Sequence, residues 1–130
     1  MDVLVPIDGS DTSFRALSVG AEFLRAFDGH LDVVHVTDTE TDATADIIAD
    51  AREILDAESI DVDPELVTGA DLDVRPSNRV GEAILELVTE RGYDHVVMGH
   101  HGAGAVERAM LGSAAETVVR ANEVPVTVVP

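Results

Sequence analysis

Four short and largely apolar runs fix what this chain can fold into: "DVLVPI" (2–7), "LDVVHV" (31–36), "HVVMG" (95–99) and "VPVTVV" (124–129). Each is far shorter than the ~20 residues of a membrane span, and each stops at turn chemistry, as a strand buried on both faces should. Between them the apolar spacing turns helical. Phe14, Leu17, Ala21 and Leu24 share one helical face up to the "DG" at 28–29, and Ile47, Ile48, Ala51, Ile54 and Leu55 mark a helix over Asp42–Glu58. Val80, Ile84, Leu87 and Val88 give a third helix, closed by "RGYD", and Ala115, Val118, Val119 and Asn122 carry a fourth. Between 62 and 76 both "ELV" and "LDV" are β-like, and the third strand is expected near 70–75, ending at Pro76.

Alternating strands and helices of these lengths imply βαβ units. The expected fold class is therefore α/β: an open, twisted, mostly parallel five-stranded sheet with helices on both faces, in one domain over 1–130. Such sheets bind ligands outside the carboxyl ends of the strands, where the order of winding switches. Here the first and fourth strands flank that point, and their ends carry "PIDGS" and "MGHHG".

Four glycines fall in the fifteen residues of "GHHGAGAVERAMLGS" (99–113), between a strand and a helix. The spacing is Gly99-x2-Gly102-x9-Gly112-Ser113. Gly99 and Gly102 would let the loop turn sharply and let a ligand touch backbone. Gly112 and Ser113 stand where the last helix begins, and the unpaired N–H groups of a helix start favour an anion. A tight turn with Ser113 as N-cap is the plain alternative, but strand, glycine loop and helix start together point to nucleotide phosphate. This is neither a Rossmann fingerprint, since the glycines follow the fourth strand, nor a P-loop, since no Gly-Lys-Ser/Thr occurs.

Charge bounds the partners. Twenty-six acidic residues face eight basic ones, for a formal net charge of −18, and every basic residue is arginine. Such a surface repels nucleic acid and anionic membranes. It suits concentrated salt, where the Debye length shrinks to ~3 Å, so a halophilic source is expected. With no cysteine, no disulfide framework or thiolate metal site is possible. No signal peptide precedes the first strand, so a soluble cytoplasmic protein is expected.

The run 99–130, the opening "VLVPIDGSDTSFRAL", "VVHV" at 33–36 and "YDHVVMG" at 93–99 together resemble the universal stress protein family along the whole chain. The resemblance implies strand order 3-2-1-4-5 and, for the subclass keeping the glycine element, ATP binding in a stress-response role. It implies that Asp8 contacts the adenosine end, with Pro6 and Ile7 shaping the turn, and that Val36 lies against adenine. Met98 and Gly99 would approach base and ribose, while Gly102, Gly112 and Ser113 hold phosphates. Two departures stand out. "RPSNR" replaces the usual glycine turn after the third strand, and Ala114-Ala115 follows Gly112-Ser113 where the family often has a bulkier residue and a hydroxyl.

Asp8 alone is also explained as a turn former or cap. A phospho-acceptor receiver domain is excluded, because it needs a lysine after the last strand. Adjacent His100 and His101 diverge, so no metal site is expected of them. Arg108 would either steer phosphate or pair on the surface. No triad or nucleophile elbow presents itself, and ATP held without lysine or base is poorly set for hydrolysis. The expected protein is a binding module, with Mg²⁺ or Mn²⁺ taken through the phosphates. A slow ATPase and a nucleotide-free interaction module are the alternatives. The last strand would lie at a sheet edge with no lysine or acid to guard it, which favours a homodimer paired along 124–129.

Overall fold

The computed structural model describes residues 1–68, 80–101 and 111–130. Five strands, β1 (Asp2–Pro6), β2 (His30–Val36), β3 (Glu65–Val67), β4 (His95–Gly99) and β5 (Val126–Val129), form one sheet in the order β3-β2-β1-β4-β5. Every pairing is parallel. Four helices connect them: α1 (Asp11–Ala26), α2 (Asp42–Ala57), α3 (Val80–Arg91) and α4 (Ser113–Ala121).

Period-two alternation sends successive side chains to opposite faces, and each face finds its own pair of helices. Val3, Val5, Ile7, Leu31, Val33 and Val97 pack with Ala16, Leu17 and Ala21 of α1 and Ala51 and Leu55 of α2. Leu4, Val34, Val36, Val67, Val96 and Met98 pack with Ala83, Ile84, Leu87 and Val88 of α3 and with Ala115 and Val118 of α4. Both faces are apolar because both are covered. That is why the strands read as continuous runs.

The third strand corrects one expectation. It is "ELV", with Val34↔Glu65, His35↔Leu66 and Val36↔Val67 in register, while the expected 70–75 stretch lies outside the described residues. Val67 is fully buried on the α3/α4 face, and Arg91 holds Glu65 with two hydrogen bonds of 2.7 and 2.9 Å. Both anchors are long-range, so local β-propensity could not choose between two similar triplets.

The turn from β1 into α1 is set by local chemistry. Gly9 takes φ +87°, a conformation that L side chains rarely adopt. Ser10 then caps α1, its hydroxyl accepting from the Ser13 N–H at 3.2 Å. The α2 start carries a reciprocal box, in which the Thr41 and Thr44 hydroxyls each accept from the other residue's N–H.

Candidate functional site

The site opens where the two central strands stop pairing. Between β1 and β4 the register runs only over Val3↔His95 and Leu4↔Val96, although β1 continues to Pro6 and β4 to Gly99. On its other side β1 stays on β2 through Pro6↔Val34, and the Ile7 N–H donates to the Val34 carbonyl at 2.8 Å. A crevice therefore lies beyond the carboxyl ends of β1 and β4, at the switch in winding.

The two described ends of the glycine-rich segment are fastened to each other and to β5 beside this crevice. The His100 N–H donates to the Val129 carbonyl and the Gly112 N–H to the His100 carbonyl, both at 2.7 Å. The Thr12 hydroxyl donates to the His101 carbonyl at 2.6 Å, joining the start of α1 to the segment. Between these ties lies a cavity of about 200 Å³, room for a ligand rather than a single water. Eight of the nine residues expected from the sequence line it: Pro6, Ile7, Asp8, Val36, Met98, Gly99, Gly112 and Ser113. Gly102, the ninth, lies outside the described residues, as does Arg108.

At the start of α4 the structure decides between the two readings. The N-cap of α4 is Gly112, and Ser113 is the first helical residue rather than the cap. Gly112 sits at φ −62°, ψ 153°, a conformation open to any residue, and no side chain among the described residues caps the helix. The backbone does not need glycine there, and the N–H groups that follow it, of Ser113, Ala114 and Ala115, have no partner within the helix. Those three lead the helix and line the cavity.

Gly99 is bare for a different reason from the one expected. A Cβ on it would stand 2.5 Å from the Thr12 hydroxyl oxygen and 2.8 Å from the Ser13 nitrogen. The close approach is that of α1 to β4. Asp8, in turn, uses Oδ1 to accept the Ser10 N–H at 2.9 Å, so the turn-forming role is real, and the residue also borders the cavity.

Six lining residues escaped the sequence: Ser13, Val80, Ile84, His101, Ala114 and Ala115. Val80 and Ile84 carry the same apolar spacing as the core face of α3, and nothing local separates a pocket wall from a core wall. Among the described lining residues the titratable side chains are Asp8 and His101, and no arginine is present. The His100 and His101 rings stand edge to face with centroids 5.9 Å apart. Among the described residues no three His, Cys, Asp or Glu side chains gather to hold a metal, and no helix is long and apolar enough to cross a membrane.

An apolar wall of Val36, Val80, Ile84 and Met98 facing a bare helix N-terminus suits a flat apolar ring joined to an anion. The universal stress protein family profile matches residues 1–130, and the chain belongs to that family. A universal stress protein of Thermus aquaticus is 30% identical over 132 residues, covering 98% of this chain and 96% of that one. A universal stress protein solved in complex with cAMP is 25% identical with a TM-score of 0.76, covering 99% of this chain and 95% of that one. The Archaeoglobus fulgidus protein solved with dAMP is 20% identical with a TM-score of 0.71, covering 100% of this chain and 98% of that one, and shows the shared fold.

Proposed function

We propose that this universal stress protein binds ATP, with Mg²⁺ or Mn²⁺ on the phosphates, as a regulatory module rather than an enzyme. The observation that carries the proposal is the bare cap of α4. Gly112 caps the helix without a side chain, and Ser113, Ala114 and Ala115, whose N–H groups lead α4, line the same cavity as Val36 and Met98. A helix start offers about half a positive charge, so backbone can take the phosphates where arginine is missing. A metal ion neutralises the remainder. The relative solved with cAMP supports adenine as the base.

The same proposal makes the protein a homodimer through 124–129. β5 is an edge strand whose Val126, Thr127 and Val128 are only half buried. Pro125 precedes the strand, and its carbonyl accepts from the Val96 N–H at 2.9 Å, so its missing donor costs the edge nothing. Two such edges pairing about a two-fold axis would cover each other.

Mass spectrometry of protein purified without added ligand tests the nucleotide. ATP at near one per chain, absent from Gly112→Val, is expected. An empty wild-type protein that gives no binding heat with Mg-ATP in molar KCl would leave only an interaction module.

A further inference from the structure

His35 lies in the middle of the crevice's support without touching the cavity. It sits between Val34 and Val36 on β2, so its side chain leaves the sheet on the α1/α2 face, opposite the one that Val36 presents to the site. The imidazole is buried, 8% exposed, and its Nδ1 lies 2.8 Å from the Ile7 carbonyl. A carbonyl only accepts, so Nδ1 carries the proton.

That bond falls at a mechanically exposed point of the chain. Past Leu4, β1 has no register with β4. Its end is held from the β2 side by the Ile7 N–H on the Val34 carbonyl and by His35 on the Ile7 carbonyl. The next residue is Asp8. Its own N–H reaches the Ser13 hydroxyl at 3.3 Å, a long bond, and its Oδ1 accepts from Ser10 within the same turn. Of these ties, only that of His35 grips the peptide joining Ile7 to Asp8 from the sheet.

We propose that His35 is a positioning residue for nucleotide: its Nδ1–H, by fixing the Ile7–Asp8 peptide to β2, sets where the Asp8 carboxylate stands in the cavity. The inference rests on the adenine-nucleotide proposal above. It separates two side chains of similar size and polarity. Asparagine places an amide nitrogen where histidine has Nδ1, and glutamine places one where histidine has Nε2.

Calorimetry with Mg-ATP in molar KCl, on wild type, His35→Asn, His35→Gln, Asp8→Asn and the Gln/Asn double variant, decides it. His35→Asn should bind within about twofold of wild type, whereas His35→Gln should lose about tenfold, the worth of one buried hydrogen bond at its upper range. In the Asp8→Asn background, which keeps the turn but not the charge, the His35→Gln penalty should largely vanish. AMP should suffer the same factor as ATP, since the disturbance is away from the α4 end. Should His35→Gln not fold, His35→Leu serves in its place. Equal binding by the Asn and Gln variants, or a penalty undiminished by Asp8→Asn, overturns the positioning role while leaving ATP binding intact. No binding by wild type overturns both.

Discussion

Placing aspartate at position 112 should move stability and binding in opposite directions. Gly112 already has N-cap geometry, with φ −62° and ψ 153°, and its N–H is paired with the His100 carbonyl. An aspartate fits that backbone without strain, and its carboxylate reaches the N–H of Ala114 or Ala115. Replacing a glycine cap gains a few tenths of a kcal/mol, and the negative charge at the helix start adds ~0.3–1. The sum is about 0.5–1.5 kcal/mol, a rise in melting temperature of about 2–6 °C for a domain of this size. Nucleotide suffers from the same bond, because the carboxylate takes the donors that phosphate needs and repels it. Losing one charge-assisted hydrogen bond costs ~1.5–3 kcal/mol, so affinity should drop by about tenfold to a hundredfold. Thermal melts and calorimetry with Mg-ATP, both in molar KCl, read the two effects. A stabilised Gly112→Asp that binds ATP like wild type would place the phosphates elsewhere, and a melting point lowered by several degrees would refute the cap geometry itself.

Gly99→Ala should cost ~1–3 kcal/mol in a urea or thermal melt, because the new Cβ meets the Thr12 oxygen at 2.5 Å and Ser13 backbone at 2.8 Å. Tyr93 is the sole tyrosine in a chain without tryptophan, so ultraviolet absorbance follows its phenolate alone. Burial, and then the hydrogen bond it donates to Asp32, push its pKa up to about 12, against an ordinary value near 10. The folded value is the higher one, so its stabilisation is intact below pH 10 and lost as pH rises through 12, and the native titration midpoint should fall near 12. Dilution from molar to millimolar KCl should lower the melting temperature markedly, since 26 acids against 8 arginines repel once screening is lost. A melting curve indifferent to salt would contradict that.

Much of this was written in the sequence, for reasons that particular residues make plain. Strands buried on both faces leave continuous runs such as "VLVPI", and the switch-point rule puts Asp8 and Met98 at one crevice from the sequence alone. β3 was not legible, because three residues with one buried side chain carry too little local signal, and its place is set by pairing to β2. The glycines were legible as necessary but not as to why. A missing Cβ is the same letter whether it admits a helix, as at Gly99, or leaves a helix start open, as at Gly112. Which of Gly112 and Ser113 caps α4 was left between two neighbours, since serine is the better cap by propensity yet glycine takes the position. His35 gave no sign of its bond to Ile7, since the two residues are 28 apart and meet only through sheet pairing.

The central claim is that adenine nucleotide binds in the β1/β4 crevice and that backbone at the start of α4 holds its phosphates. Titrating Mg-ATP into isotope-labelled protein in molar KCl, with amide resonances followed by NMR, tests it most directly. The amides of Gly112, Ser113, Ala114 and Ala115 should shift most, with smaller changes at Asp8, Val36 and Met98. With AMP the changes at Asp8, Val36 and Met98 should persist, and those at the start of α4 should shrink. Shifts confined to the opposite end of the sheet, around Asp2, Asp32 and Tyr93, or none at all, would contradict the account.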